Sequence, residues 1–447
     1  MDSNESTICA LASSIGKGGI GVVRVSGPLC QAIAQKMLGF VPKPRYAHYG
    51  SFFDNNQAEV DQGIALFFPG PNSFTGEDVL EFQGHGGLSV MRCLIESSIA
   101  LGAKPAEPGE FSKRAFLNGK MDLVQAEAVA DIIDANSEQA SRSALRSLSG
   151  VFSKQVNALT QSIINLRIFV EATIDFSDEE IDFLQSEQVQ VKTQAIKSEI
   201  QQILQAATQG AILREGLNVA IAGKPNAGKS SLLNALTQRS SAIVTDIAGT
   251  TRDVLRETIH INGMPLNIID TAGLHESEDV VEKEGIKRAR DAIAQADVVL
   301  LMYDAQDQTP DFSILPDAID AKKLLIIKNK IDLTGEAVNR QVEQNKTQLS
   351  ICTKDTQGID LLRQELADMA GFDSGAEGVV LARKRHIIAL EESLNAIDNA
   401  LIQLDGGAIE LMAEDLRHAG QAMASITGEF SSDDLLGEIF SSFCIGK

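Results

Sequence analysis

The chain has 447 residues, a formal net charge of −22 at pH 7 and five cysteines. This length suffices for two or three domains, and the charge argues against a stand-alone nucleic-acid binder, although a local basic patch stays open. The absence of any run of about 18 apolar residues predicts no membrane-spanning helix, while the acidic N-terminus and the scattered cysteines indicate a cytoplasmic protein without zinc.

The first region, from about residue 6 to 118, is rich in glycine, proline and short β-type runs. The runs cover residues 19–25, 46–53, 63–68 and 79–82. Strands of this kind between turn residues predict an α+β domain. We place it at residues 1–119.

Helical periodicity dominates residues 120–208 and returns from Leu381 to about Phe443. Apolar residues recur there at helical spacing, at Leu123, Ala126, Val129, Ala130 and Ile133, and again at Leu166, Val170 and Ile174. The economical interpretation is one helical domain, residues 120–210 plus 373–447, interrupted by an inserted domain at 211–372. Two separate small bundles are the alternative.

A phosphate-binding loop, Gly223–Ser230, opens the inserted region. It follows a predicted buried strand, Leu217–Ala222, and leads into a predicted helix, Ser230–Thr237. Glycines allow backbone N–H groups to surround a phosphate at the positive end of the helix. Lys229 would contact the β- and γ-phosphates, and the Ser230 hydroxyl would bind Mg²⁺.

Two further motifs follow the loop in the order that GTPases use. Asp270-Thr271-Ala272-Gly273 ends the predicted strand Leu266–Asp270, and Asn329-Lys330-Ile331-Asp332 follows the apolar run Leu324–Ile327. A carboxylate at Asp332 accepts hydrogen bonds from N1–H and the 2-amino group of guanine, which adenine lacks. The three motifs predict an α/β P-loop GTPase.

The GTPase region lacks a side chain that other GTPases use to orient water. Leu274 stands where many signalling GTPases have glutamine, so another group must offset the charge on the phosphates. Asn226 is a candidate ligand for a monovalent cation, with a loop-capping amide as the alternative. Thr251 would bind Mg²⁺ from the switch segment 245–253. Glu282 could hold the water or be a solvated surface acid.

These motifs resemble the cation-activated GTPases of the MnmE/TrmE, Era and Der type, and motifs outside the GTPase region select the MnmE/TrmE family. The resemblance covers essentially the whole chain. It is carried by the residues Gly249–Asp253, Asp270–Leu274, Gly18–Gly27, Ser73–Asp78, Gly84–Gly87, Pro108–Phe111, Phe116–Lys120 and the terminal Cys444-Ile445-Gly446-Lys447.

The resemblance implies a homodimeric, tRNA-modifying GTPase. Together with an FAD-dependent partner (MnmG/GidA), this family adds a carboxymethylaminomethyl or aminomethyl group to C5 of wobble uridines. Its one-carbon unit comes from a tetrahydrofolate derivative, 5-formyl- or methylene-tetrahydrofolate. The implied folate contacts, whose alternative is surface charges, are Arg24, Glu81, Lys120 and Lys447.

The resemblance also implies the nucleotide and ion contacts. The K⁺ ligands would be Asn226, Thr245, Ile247 and Thr250, the catalytic residues Glu282, Lys229 and Cys444, and the Mg²⁺ ligands Ser230 and Thr251. The GTP contacts would be Asn226, Ala227, Gly228, Lys229, Ser230, Ser231, Thr245, Asp246, Ile247, Ala248, Gly249, Thr250, Thr251, Asp270, Thr271, Ala272, Gly273, Asn329, Lys330, Asp332, Ser350, Ile351 and Cys352.

Two positions leave alternatives open. Ser350-Ile351-Cys352 replaces the family's usual Ser-Ala and a following basic residue, and a backbone N–H there would contact guanine O6. Cys444 would attack C6 of uridine or merely order the chain end. The alternative functions are a ribosome-assembly GTPase without modification chemistry and a folate-binding enzyme whose GTPase is purely regulatory.

Overall fold

A computed structural model describes most of the chain. The described residues are 6–14, 16–135, 137–175, 184–237, 256–261, 263–270, 292–316, 319–343, 346–372, 379–429, 433–441, 443 and 445–446. The chain forms two compact units. The first comprises Met1–Asp134, Leu145–Ile200 and Ala389–Lys447, and the second Ala135–Ala144 and Gln201–Ile388.

The first unit contains a six-stranded sheet in the order β3-β4-β5-β2-β1-β6. Its strands are β1 (Ile8–Leu11), β2 (Gly18–Ser26), β3 (His48–Phe53), β4 (Glu59–Phe68), β5 (Val79–Gly86) and β6 (Lys104–Pro105). All pairs are antiparallel except β1 with β6. Alternate residues such as Val23, Phe52 and Phe82 are buried in the core. The four β-type runs predicted from the sequence overlap β2, β3, β4 and β5.

Helices α1 (Cys30–Leu38) and α2 (Leu88–Ala100) contribute Met37 and Leu94 to the same core. The next helices are α3 (Glu110–Leu117), α4 (Leu123–Asp134), α5 (Glu138–Leu148), α6 (Val151–Asp175) and α7 (Leu184–Glu215). The predicted periodicity at the start of α4 is confirmed, since Leu123 and Ala126 are fully buried, but Ile133 near its end is 43% exposed.

Helices from both segments that flank the nucleotide-binding region pack together in the first unit. Helix α6 packs along a later helix, α11 (Ile409–Thr427). Both present apolar residues at spacings of three and four, which places these residues on one face of each helix. The buried positions are Val156, Leu159, Ile163, Leu166 and Val170 on α6 and Met412, Leu416, Ala419 and Met423 on α11.

The second unit contains a seven-stranded sheet in the order β12-β13-β11-β10-β7-β9-β8. Its strands are β7 (Leu217–Gly223), β8 (Arg256–Ile261), β9 (Met264–Asp270), β10 (Val298–Asp304), β11 (Leu324–Asn329), β12 (Asn339–Glu343) and β13 (Lys346–Ser350). The edge strands β8 and β12 are antiparallel to their neighbours, and the other pairs are parallel. The continuous apolar runs of β7, β10 and β11 fit strands that are buried on both faces.

The remaining helices are α8 (Lys229–Thr237), α9 (Ile359–Ala370), α10 (Lys384–Asp405) and α12 (Asp433–Ser441). Within the described part of the chain, no helix is both long enough and apolar enough to cross a membrane. The mixture of a mainly antiparallel sheet, long helices and a mainly parallel sheet confirms the predicted α/β multidomain class.

Candidate functional sites

The phosphate-binding loop lies between β7 and α8, in the strand–loop–helix order that the sequence predicts. Lys229 begins α8 and is 9% exposed; its Nζ donates to the carbonyl oxygens of Gly223 at 2.6 Å and Lys224 at 3.0 Å. The neighbouring hydroxyl-bearing Ser230 is exposed in the first turn of the helix. A cation and a hydroxyl therefore lie together at a helix N-terminus, as binding of a phosphate with its metal ion requires.

Asn329 connects this loop to the end of the sheet. Its side chain is fully buried, Nδ2 donates to the Ala227 carbonyl at 2.9 Å, and Oδ1 accepts from the Thr353 N–H at 3.1 Å. Gly228 has φ +99°, and a Cβ there would collide with Asn329 Nδ2. Only glycine combines that backbone conformation with such a close approach.

The next residue, Lys330, has a fixed position. Its backbone is left-handed (φ +64°), and its Nζ donates to Asp304 Oδ2 at 2.7 Å. Hydrogen bonds from the Gln306 N–H and from Lys330 lower the pKa of the Asp304 carboxyl. Asp304 therefore carries the charge that holds the lysine beside Asp332, whose side chain is exposed.

The structure gives partners to two of the three backbone N–H groups at the predicted guanine O6 position. The Ile351 N–H donates to the Lys328 carbonyl at 2.8 Å, and the Cys352 N–H donates to the Gln357 carbonyl at 2.9 Å. Both N–H groups have carbonyl partners because Ser350 ends β13 in register with Lys328, and the chain then turns so that Cys352 lies opposite Gln357. These two N–H groups therefore each have a carbonyl partner, and the guanine O6 contact stays a prediction.

Cys352 contributes a side chain instead. Its buried Sγ donates to Asp332 Oδ1 at 3.2 Å. Burial raises the pKa of the Cys352 thiol, and the nearby Asp332 carboxylate raises it further. The thiol therefore keeps its proton and can hold the carboxylate of the guanine-binding motif in place.

Several predicted residues lie outside the described residues. They are Thr245, Asp246, Ile247, Ala248, Gly249, Thr250, Thr251, Thr271, Ala272, Gly273, Glu282, Cys444 and Lys447. Asp270 ends β9 in register with Ile221, so the backbone of this strand end lies beside the strand that leads into the phosphate-binding loop. In the described parts of the chain, no three His, Cys, Asp or Glu side chains cluster as a metal site would require.

A second candidate site lies in the first unit, where two of the predicted folate contacts meet. Arg24 on β2 and Glu81 on β5 are cross-strand partners, with Nε 2.9 Å from Oε1. The Arg24 guanidinium lies 5.5 Å from the centre of the Phe74 ring and 5.8 Å from that of Phe111. Gln83 Nε2 donates to the other oxygen of Glu81 at 3.2 Å, which fixes the plane of the carboxylate.

Lys120 approaches the loop that carries Phe74. A Cβ on Gly76 would lie 3.3 Å from Lys120 Cγ. Beside this loop is a cleft of about 280 Å³, lined by Gly27, Pro28, Gly76, Glu77, Asp78 and Asn118. The structure thus brings together Arg24 and Glu81, and places Lys120 against the same loop as Phe74.

The end of the chain also reaches this unit's sheet. Phe443 is buried, and Gly446 (φ +95°) lies so close to the Leu11 carbonyl that a Cβ there would collide with it. Leu11 is in register with Val23, which precedes Arg24 on β2. The residue before Lys447 therefore lies one strand away from the Arg24–Glu81 pair.

Sequence reasoning missed the side chains that support these sites: Phe74, Gln83, Phe111 and Asp304. Asp304 had a usable signal, because a carboxylate at the carboxyl end of a buried parallel strand lies at the edge where such sheets bind ligands. Gln83 was accessible only through the strand register, since it lies two residues from Glu81 on the same face.

Comparisons with known proteins cover both units. A family model described as the GTP-binding protein TrmE N-terminus matches residues 7–120, and the MnmE helical domain model matches residues 123–444. A tRNA modification GTPase MnmE from Ruthia magnifica is 74% identical over 447 residues, which is 100% of both chains. The protein of that name from Chromohalobacter salexigens is 54% identical over 99% of this chain and 98% of its own.

Among solved structures, the G domain of the T. maritima FeoB iron transporter is 24% identical and covers 34% of this chain and 98% of its own. Its TM-score of 0.25 is too low for a comparison of folds. The two family models and the full-length relatives are decisive: this chain belongs to the MnmE (TrmE) family of tRNA modification GTPases.

Proposed function

We propose that this protein hydrolyses GTP in the course of tRNA modification, with Mg²⁺ and K⁺ at the nucleotide. The observation that carries the nucleotide part is the buried Asn329 amide, which joins the phosphate-binding loop to the guanine-binding motif. Its relatives are named tRNA modification GTPases, which supports tRNA as the substrate. The negative charge of the chain fits a cytoplasmic enzyme that meets tRNA at a confined surface.

Binding of GTP·Mg²⁺ would use groups of the phosphate-binding loop and of the guanine-binding motif. Lys229 neutralises phosphate charge, Ser230 binds the metal ion together with Thr251, and Asp332 accepts the two guanine donors while Cys352 holds it. The exposed Ser230 and Asp332 side chains and the glycine at 228 fit a ligand that approaches the backbone closely. When bound, Mg²⁺ would stabilise the negative charge of the phosphates.

The proposed K⁺ site begins at Asn226. This residue has φ +66°, is exposed, and its side-chain amide bonds to none of the described residues. That weakens the alternative of a loop-capping amide and supports a side chain held for a ligand. Thr245, Ile247 and Thr250 would complete the cage. Glu282 would orient the water that Leu274 cannot.

The folate part of the proposal uses the Arg24–Glu81 pair. Arg24 is a cation for a carbonyl or carboxylate oxygen, and Glu81 is an acceptor for the 2-amino and N3–H donors of a pterin. Lys120, Lys447 and the nearby Phe74 ring add charge and a flat apolar surface. A tetrahydrofolate derivative would supply the one-carbon unit there, and Cys444 is the candidate nucleophile toward uridine.

The proposed assembly is a homodimer through the N-terminal domains, joined by an FAD-dependent MnmG/GidA partner. We retain three domains: a folate-binding domain at 1–119, a helical domain at 120–210 plus 373–447, and a GTPase domain at 211–372. The position of the GTPase region within the 123–444 match to the helical-domain model supports an insertion.

The decisive experiment is mass analysis of wobble uridines in tRNA from a strain that lacks this protein. We expect the C5 substituent to disappear, to return with the wild-type gene, and not to return with Lys229→Ala. Unchanged wobble uridines in the deletion strain would contradict the proposed function. Return of the substituent with Lys229→Ala would instead separate GTP hydrolysis from the modification.

A further inference from the structure

The acidic residues of this chain are unevenly distributed. The protein has 61 Asp and Glu residues and a net charge of −22, yet residues 6–53 contain none. Residues 62–76 also contain none. The longer stretch carries five cationic side chains, which are Lys17, Arg24, Lys36, Lys43 and Arg45. The positive charge of the N-terminal region is therefore concentrated where negative charge is absent from the sequence.

Aromatic rings are exposed in the middle of this stretch. Residues 40–48, which we term the aromatic–basic loop, connect α1 to β3. Phe40 is 41% exposed and Tyr46 57% exposed. Both rings meet His48 edge-on, with centroids 5.3 Å and 4.8 Å from its ring and interplanar angles of 61°. Lys43 Nζ lies 5.9 Å from the centre of the Tyr46 ring.

The loop is held in shape by its own bonds. The Lys43 N–H donates to His48 Nε2 at 2.9 Å, and the Arg45 N–H donates to the Phe67 carbonyl at 2.8 Å. Arg45 Nη2 donates to the Asn72 carbonyl at 2.5 Å, which joins the two acid-free stretches. A loop held in this way presents its rings and charges at little further entropic cost.

The acids that follow the second stretch are engaged elsewhere. Glu77 accepts from the buried Arg114 at 3.1 Å and 3.2 Å. Asp78 accepts from the Gly70 N–H at 2.9 Å and from Gln31 Nε2 at 3.0 Å. Arg114 thus compensates the charge of Glu77, and Asp78 is hydrogen-bonded outside the loop. The cations of the loop therefore lie in an acid-free stretch of an acidic protein.

We propose that the aromatic–basic loop docks unpaired bases of the RNA substrate. Exposed aromatic faces stack on bases, and neighbouring cations contact the phosphates, which is the chemistry of single-stranded RNA recognition. Tyr46 and Phe40 supply the stacking surfaces, while Lys43 and Arg45 supply the phosphate contacts. The inference rests on the proposed function, because it takes tRNA to be the substrate and locates where its unpaired bases bind.

The second unit offers a matched control for this loop. Phe312 is also 41% exposed, and Lys346 Nζ lies 4.6 Å from the centre of its ring. It follows Asp311 directly, so the same pair of residue types stands there in acidic surroundings. The pairs Phe40→Ala with Phe312→Ala and Lys43→Gln with Lys346→Gln therefore separate RNA docking from a general loss of an exposed ring or charge.

The test measures fluorescence anisotropy of a labelled anticodon stem-loop RNA with the full-length protein. Stacking on an aromatic ring contributes about 1–3 kcal/mol per base, so we expect Tyr46→Ala and Phe40→Ala to weaken binding about five-fold or more. Lys43→Gln should reduce the slope of log affinity against log salt by about 0.7. Phe312→Ala and Lys346→Gln should match wild type. Unchanged GTP hydrolysis and 5-formyltetrahydrofolate binding would show that the variants are folded.

Each outcome decides between distinct conclusions. Equal RNA affinity of wild type and loop variants would overturn the docking surface and leave tRNA modification intact. Loop variants that sediment as monomers, while wild type is a dimer, would show that the loop is an interface between copies of the chain. That result would also overturn the proposed RNA-docking surface. If wild type bound no RNA, with or without the FAD-dependent partner, the inference and the tRNA part of the proposed function would fall together.

Discussion

At the scale of single residues, the nucleotide site depends on side chains whose hydrogen bonds fix the positions of other residues. The buried Asn329 amide is hydrogen-bonded to Ala227 and Thr353. Asp304 accepts a hydrogen bond from Lys330, and the Cys352 thiol donates one to Asp332. Removal of one such partner leaves a polar group without its bond, which costs more than the bond itself contributes. Variants of these supporting residues should therefore act through the group that each one holds.

Cys352 gives the sharpest prediction of this kind. A thiol is a weak donor, so we expect Cys352→Ala to weaken GDP binding by about 1 kcal/mol, roughly five-fold. Inosine diphosphate lacks the 2-amino group and depends less on Asp332, so its affinity should fall less. Cys352→Ser, which keeps a donor, should restore much of the difference. Displacement of a fluorescent GDP analogue measures both; an equal loss for the two nucleotides would argue for a merely structural role.

Asn226 gives a prediction about the monovalent ion. GTP hydrolysis should depend on K⁺ and respond little to Na⁺, because Leu274 cannot position water and a cage of amide, hydroxyl and carbonyl oxygens suits the larger ion. Asn226→Ala should lower the K⁺-stimulated rate on the order of ten-fold or more and leave GTP binding largely intact. Phosphate release in KCl and NaCl tests this, and equal rates for wild type in the two salts would refute the ion site.

At the scale of elements, the end of the chain is anchored rather than free. Helix α12 places Ile439 and Phe440 in a core with Leu123, and Phe443 joins them. Beyond it, Gly446 lies against Leu11. Phe443 and Gly446 are therefore structural parts of the first unit, which is what the proposed role of the tail at the folate site requires.

Removal of residues 444–447 should weaken 5-formyltetrahydrofolate binding about ten-fold or more, because a charge-assisted hydrogen bond contributes about 1.5–3 kcal/mol. Gly446→Ala should act in the same direction without a change of charge, since the added Cβ would collide with Leu11. GTP hydrolysis should persist in both variants. Calorimetry that found unchanged folate affinity would leave the tail a role in catalysis or partner docking alone.

The amino-acid sequence was sufficient to predict the strands and motifs of the nucleotide site, but not the hydrogen bonds that connect them. Motif spacing located the loop at Gly223–Ser230 and the strand ends because those positions follow from chain order. The predicted O6 contact depends on where β13 ends, and the register with Lys328 pairs the Ile351 N–H with a carbonyl of the sheet. Likewise, no local pattern connects Cys352 to Asp332, which lies 20 residues earlier.

At the scale of the whole molecule, the two candidate sites lie in separate units. The acid-free stretch 6–53 lies in the unit with the Arg24–Glu81 pair, whereas the nucleotide site lies in the other unit. Each unit has its own buried core, with Phe82 and Leu94 in the first and Val299 and Leu301 in the second. Separate cores allow one site to be altered while the other keeps its structure.

The last prediction concerns assembly. The proposed cation cage needs the switch segment 245–251 to close, and we expect this to happen best when two GTPase domains face each other. Intact protein should sediment as a dimer at micromolar concentration through the N-terminal domains. A fragment beginning near Gly210 should be monomeric by itself. It should form a dimer only in the presence of K⁺ and a transition-state mimic, because the contact between two GTPase domains depends on the closed switch. A monomer for the intact protein would refute the constitutive dimer, and fragment pairing in Na⁺ would disconnect assembly from the ion.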